Sequence, residues 1–188
     1  MRHTLFSAIL ALTATALVLA TAAGAGLLVR ETFHEEGTFE LEDFCDVPGL
    51  TIEGTFSVDG RVKATPHGPS GLAYFIEHIR ATTVLTNPET DATTTEVATV
   101  VQKDQRVTDN GDGTLTILVL GTGKDVVYGP DGKAIARNPG QVRFEILIDN
   151  GGTPTDPSDD EFLEDLGTVK DSTGRTDDFC DAVLPVLG

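Results

Sequence analysis

The feature of this sequence that most constrains its fold is the alternation of apolar and polar residues in segments that short turns separate. From Leu50 to Val58, every second residue is apolar or glycine, and threonine, glutamate and serine lie between them. A period of two places the two sets on opposite faces of an extended chain, so it predicts a half-buried β-strand.

More strands are predicted wherever alternating or Thr- and Val-rich runs end at Asn, Asp, Gly or Pro, which favour turns. These predicted strands are 72–86, 93–107, 115–123, 133–137 and 141–149. The Asp-Gly pair in 58–61 predicts a hairpin turn within the first alternating region. No helical period separates the strands, so consecutive strands are expected to pair antiparallel. The predicted fold is all-β, an antiparallel up-and-down barrel or sandwich of about eight to ten strands.

The two ends of the chain are predicted to be helical. Near the C-terminus, Thr176 is the expected N-cap, Asp177 and Asp178 occupy the first turn, and Pro185 ends the helix. At the N-terminus, a short basic start, an apolar run and a small-residue segment predict a signal peptide over 1–25. An uncleaved anchor is the alternative, because the uncharged run is long enough to span a bilayer. Cleavage leaves a single secreted domain, 26–188.

The two cysteines of the chain, Cys45 and Cys180, lie in two copies of the tetrapeptide DFCD. Outside the cytoplasm two cysteines usually pair. A zinc site needs clustered Cys and His ligands, and a redox site needs a C-x-x-C motif; neither pattern is present. We therefore predict a structural disulfide that closes a loop spanning most of the domain.

The formal net charge of −17 limits the choice of partners. Nucleic acids and anionic membranes are poor partners, because both need a basic surface. Cationic partners, including calcium, suit this charge. The cleaved protein is expected to be a monomer that stays off the membrane.

Five segments resemble secreted actinobacterial proteins that have no known activity. They are EDFCDVPGL, RVTDNGDGTLTILVLGTG, DGKAIARNPGQVRFEILID, GGTPTDPSDDEFLE and STGRTDDFCDAVLP. The resemblance covers most of the chain after the predicted signal peptide. It implies a secreted β-rich domain with a bridge between the two cysteines, and it implies no particular catalytic residue or cofactor.

Candidate catalytic residues are Glu77, His78 and Arg80, the one titratable cluster on a strand that is expected to reach the core. In a barrel interior, Glu77 or His78 would act as an acid or base that Arg80 tunes. Adjacent residues of a strand point to opposite faces, however, which weakens the set. We expect the face that carries Phe75 and Glu77 to point inward, so that Glu77 needs a partner or a raised pKa.

A calcium site is the other candidate, because one Gly- and Pro-rich loop concentrates carboxylates that hard cations prefer. Its candidate ligands are Asp149, Asp156, Asp159, Asp160 and Glu161. The spacing does not match an EF-hand, and a run of acidic residues is usually a solvated loop.

Three classes of function stay open on the sequence alone. We favour a secreted or envelope-associated, non-enzymatic module that binds a small apolar ligand or a protein partner, or that is structural. The alternatives are a small-barrel enzyme of the isomerase or cyclase kind that acts on an apolar ligand, and a calcium-stabilised structural protein. An apolar cavity that contains Glu77 or His78 would favour the enzyme, whereas an exposed apolar patch would favour the binding module.

Overall fold

The computed structural model describes residues 27–188, so the predicted signal peptide lies outside the described part of the chain. This part contains eight β-strands, one single-turn 3₁₀ helix at Phe44–Asp46 and one α-helix, α1, at Phe179–Leu187. The strands are β1 Val29–Leu41, β2 Ile52–His67, β3 Leu72–Thr86, β4 Thr93–Asp109, β5 Thr114–Tyr128, β6 Ala134–Arg137, β7 Gly140–Asp149 and β8 Glu161–Lys170.

All strands pair antiparallel in one sheet, as the sequence predicts. The hydrogen-bonded order is β1-β2-β3-β4-β5-β7-β8, and the short β6 pairs with β5 beside this path. Each strand is therefore next to its neighbour in sequence, apart from the insertion of β6. The prediction of an antiparallel up-and-down β-fold with a short C-terminal helix is confirmed. β1 and β8 form the two edges of the sheet.

One face of the sheet, which we call the inner face, is the more buried. On β3, for instance, Ala81, Thr83 and Leu85 are buried and alternate with half-buried residues. Two apolar clusters lie at the two ends of the strands. The disulfide-end core consists of Phe44, Ile52, Leu85, Val127, Ala136, Val183 and Leu187. The hairpin-end core consists of Leu72, Val107, Leu115, Ile117, Val119 and Ile148.

The predicted disulfide is confirmed, and it closes the disulfide-end core. Cys45 lies in the 3₁₀ turn after β1 and Cys180 in the first turn of α1, with their Cα atoms 5.7 Å apart. The rings of Phe44 and Phe179, which flank the two cysteines, meet edge to face with centroids 6.2 Å apart. Each half of the repeated DFCD motif therefore supplies one sulfur and one aromatic ring to the same contact.

The predicted hairpin turn at 58–61 is wrong, because β2 runs through these residues without a break. Gly60 is the register partner of Phe33 on β1, and a Cβ atom at Gly60 would overlap the Phe33 ring. Phe39 and Gly54 form a second pair of the same kind. At these positions glycine makes room for a phenylalanine ring of the neighbouring strand and does not form a turn.

The predicted ends of α1 are also wrong. Asp178, not Thr176, is the N-cap, and its carboxylate accepts a hydrogen bond of 3.0 Å from the Asp181 N–H. Pro185 lies inside the helix, which continues to Leu187 because that side chain is fully buried. The amide side chain of Asn87 donates to the Leu187 carbonyl at 2.7 Å and holds the end of the helix against the sheet.

Candidate functional site

The three predicted catalytic residues lie on β3 but do not come together. Glu77 is on the inner face, with Val62 and Gln102 as its register partners, while His78 and Arg80 are on the opposite face. Glu77 is half-buried, and burial raises the pKa of its carboxyl group. The face that carries Phe75 includes the buried Ala81 and Leu85. Leu72 and Tyr74, which alternate onto the other face, nevertheless pack in the hairpin-end core, so the choice of a single inward face stays a prediction. An acid and a base on opposite faces of one strand cannot act on the same substrate atom.

A pair of carboxyl groups with raised pKa values lies elsewhere, at Glu96 on β4 and Asp125 on β5. Glu96 is the register partner of Val127, and Asp125 that of Ala98, so the two carboxyls are diagonal neighbours on the inner face. Burial, followed by the charge of Asp125 and a hydrogen bond with it, raises the pKa of Glu96 to about 8. Burial also raises the pKa of Asp125.

The surroundings of this pair explain how it is held. The Oδ1 atom of Asp125 is buried and has no hydrogen-bond partner within residues 27–188. A buried carboxylate oxygen without a donor disfavours the ionised form, in agreement with the raised pKa of Asp125. The Asp125 main chain pairs with Asn138, whose side chain accepts a hydrogen bond of 2.7 Å from the Asp177 N–H just before α1. Val127, the register partner of Glu96, is a member of the disulfide-end core, so the pair lies beside that core.

Asp104 is a third buried carboxyl on the inner face. The pairing of β4 with β5 shifts register between Asp104 and Arg106, where β4 contains a bulge. Asp104 accepts a hydrogen bond of 2.7 Å from the Phe75 N–H, which joins β3 to β4 beside the bulge. Burial raises the pKa of Asp104 to about 6, although this hydrogen bond opposes the shift.

The residues predicted to bind calcium lie at the end of β7, in the loop between β7 and β8, and at the start of β8. Thr153 Oγ1 donates to both carboxylate oxygens of Asp159 at 2.8 Å, and the Ser158 N–H donates to Asp156. Burial, together with repulsion from Asp159, Asp156 and Asp149, raises the pKa of Asp160 to about 6. Within residues 27–188, no three His, Cys, Asp or Glu side chains are arranged to hold a metal ion. Calcium binding stays a prediction.

Edge strand β8 has an irregular register that sequence reasoning missed. Three bulges interrupt its pairing with β7, and each leaves one residue of β8 without a register partner there. These three residues are Leu163, Leu166 and Val169, which recur at every third position. They are 46%, 45% and 58% exposed. We call them the aliphatic row.

Phe162 extends the apolar surface next to the aliphatic row. It is the register partner of Ile148, a buried member of the hairpin-end core, yet it is 48% exposed. An exposed patch of large apolar side chains, set among polar residues, is typical of an interaction site.

A broad open groove lies across β1, β2 and β3, with a volume of about 470 Å³. It is lined mainly by small polar side chains, Thr38, Thr55, Ser57 and Thr82 among them, together with Phe56 and Val84. None of the three predicted catalytic residues lines it.

Comparisons with protein-family models, with curated proteins and with solved structures found no match to this chain. In the described part, no helix is long and apolar enough to cross a membrane.

Proposed function

We propose that this protein is a secreted or envelope-associated, non-enzymatic binding module that acts as a monomer and contacts a partner protein through β8. The observation that supports this proposal is the aliphatic row, because all three of its residues lack a partner in β7 and stay exposed to water. Exposing three large aliphatic side chains in succession is unfavourable for an isolated protein, since each buried side chain of this size contributes about 1.5–3 kcal/mol.

The bulges determine how a partner would bind. A regular edge strand offers a continuous ladder of main-chain groups to any other strand, and bulges interrupt that ladder. On β8 a bulge occurs at every third residue, so addition of a further strand is disfavoured along its length. The side chains remain available. We therefore propose that the aliphatic row inserts into an apolar groove of the partner, which makes side chains, not main-chain hydrogen bonds, the source of affinity.

The experiment uses a labelled 18-residue amphipathic helical peptide with one leucine face and one glutamine face, which presents a neutral apolar surface. Fluorescence anisotropy should show saturable binding to the purified protein. The triple variant Leu163→Ser, Leu166→Ser, Val169→Ser should lower the affinity at least tenfold, because it removes the apolar contact. The matched control is Leu28→Ser, Val47→Ser, which changes exposed apolar residues far along the chain from β8. Equal binding by the triple variant, the control and the wild type would contradict the proposal.

A further inference from the structure

The charges around the aliphatic row indicate the chemistry of its partner. The stretch from Asp149 to Asp171 contains eight carboxylates and a single cation, Lys170. Two of the carboxylates, Glu164 and Asp165, lie between the first and second residues of the row, and Glu161 lies just before it. The apolar contact is therefore surrounded by negative charge on the same strand.

No residue between 27 and 188 forms an ion pair with these eight carboxylates. The ion pairs of the described residues involve Asp59, Glu36, Glu145, Asp131 and Asp177, and none of them involves a carboxylate of β8 or of the loop before it. Burial, and then repulsion from Asp159, Asp156 and Asp149, raises the pKa of Asp160, which shows that these carboxylates lie close enough to repel one another.

On the basis of the function proposed above, we infer that the partner is a protein whose apolar groove is rimmed by lysine and arginine side chains. Burying Leu163, Leu166 and Val169 brings the partner to within a few ångströms of Glu161, Glu164 and Asp165. At such distances opposite charges attract and like charges repel, and the contact excludes the water that screens them. A cationic rim would increase both the rate of encounter and the selectivity for this edge.

Two other occupants fit the charges less well. A second copy of this chain would bring a second set of eight carboxylates against the first, in a molecule whose net charge is already −17. An anionic membrane surface would be repelled for the same reason. A zwitterionic membrane lacks this repulsion, but its surface offers no fixed cationic rim. The cationic groove is the occupant for which both the apolar row and its acidic surroundings are favourable.

The test compares three amphipathic peptides that share one leucine face and differ on the polar face, which carries lysine, glutamine or glutamate. At low ionic strength we expect the lysine peptide to bind at least tenfold more tightly than the glutamine peptide, and the glutamate peptide to bind most weakly. In 1 M NaCl the three affinities should converge, because the screening length falls to about 3 Å. Equal affinities at low salt, with binding still lost in the triple serine variant, would overturn the cationic rim but not the proposed function.

A pair of charge variants locates the effect. Glu161→Gln, Glu164→Gln leaves the aliphatic row intact and should reduce the lysine-over-glutamine preference at least threefold. The matched control is Glu40→Gln, Glu53→Gln, which removes the same charge from a cross-strand pair of β1 and β2. An equal loss of preference in both variants would show that net charge, not the edge of β8, selects the peptide, and would overturn the inference.

The remaining occupants are outcomes of the same study. Sedimentation velocity that shows a dimer lost in the triple serine variant would contradict the inference in favour of a second copy. Co-sedimentation with phosphatidylcholine vesicles that is lost in that variant, without any preference among the peptides, would contradict it in favour of a membrane. Failure of all three peptides to bind the wild type would contradict the proposed function itself.

Discussion

The two edge strands of this sheet are exposed to water in opposite ways. On β1 the exposed positions alternate strictly and are all polar, whereas Phe33, Phe39 and Leu41 lie half-buried on the inner face. On β8 every residue except Gly167 is exposed, including the aliphatic row. Charge protects the regular edge β1 from other strands, and bulges protect the irregular edge β8. Protection by bulges, unlike protection by charge, leaves large apolar side chains exposed on the edge strand.

The largest expected effect is the loss of stability when the disulfide that anchors the turn after β1 is removed. The disulfide joins the turn after β1 to α1 across 135 residues of sequence, so it restricts the unfolded chain strongly. The double variant Cys45→Ala, Cys180→Ala should lower the free energy of unfolding by up to about 5 kcal/mol. Urea denaturation of the two proteins measures the loss. Peptide binding by the folded variant should persist, since β8 contributes no residue to the disulfide-end core. A loss below about 1 kcal/mol would show that the staple contributes little to stability.

The second prediction concerns the interior between the two edges, where β4 buries Asp104. Because the folded-state pKa of Asp104 is about 6, above its ordinary value of 3.8, the protonated form favours the fold. Its stabilising contribution is complete below about pH 4 and is lost as the pH rises through 6. Asp104→Asn mimics the neutral acid and can still accept the hydrogen bond from the Phe75 N–H.

We therefore expect Asp104→Asn to be more stable than the wild type by about 1–3 kcal/mol at pH 8 and nearly equal to it at pH 4. Urea denaturation at the two pH values measures the difference. The control is Asp112→Asn in the exposed β4–β5 turn, where hydrogen bonds from Thr114 lower the pKa of the carboxyl group. This control should show no gain at pH 8. An Asp104→Asn effect that is equal at both pH values would contradict burial as the cause.

The smallest expected effect comes from a variant in which β1 loses the charges that protect its edge. Glu36→Leu, Glu40→Leu places apolar side chains at exposed positions of a strand whose ladder with β2 has no bulge. Weak, concentration-dependent self-association should appear, because a regular apolar edge accepts another strand. Sedimentation velocity at high protein concentration measures it, with wild-type protein as the control. A strictly monomeric variant would indicate that charge is not what protects β1.

The sequence predicts strands whose apolar and polar residues alternate clearly and misses strands in which this alternation is hidden. Strand β3 matches its predicted bounds of 72–86, because its polar and apolar residues alternate and turn residues flank it. β1 was missed because its inner face carries Glu31, Glu35 and Gly37 between the apolar residues, which hides the period of two. Gly60 of β2 was wrongly predicted to lie in a turn, because its role is to admit the Phe33 ring from β1, a contact that local sequence does not reveal.

β8 was missed for a different physical reason. Its aliphatic residues recur every third position, which no regular strand can place on one face. The bulges absorb one residue in each repeat and convert a three-residue period into a strand. The apolar residues of the segment 161–170 indicate a strand. The prediction of an acidic loop considered only the carboxylates among them.

The carboxyl pair was also not predicted. Glu96 and Asp125 are distant in sequence and lie on strands rich in Val and Thr, where a single acid looks like a solvent-facing residue. Only the register of β4 and β5 shows that both face inward as diagonal neighbours, where burial and the charge of Asp125 raise the pKa of Glu96.

The most direct test of the central claim is to map where the leucine–lysine peptide contacts the protein. Amide chemical-shift changes in a ¹H–¹⁵N spectrum, followed during titration, report on every strand at once. We predict changes centred on Leu163, Leu166 and Val169, with the amides of β1 unaffected. Changes centred on β1, or on the groove lined by Thr55 and Thr82, with β8 unaffected, would contradict the assignment of β8 as the binding edge.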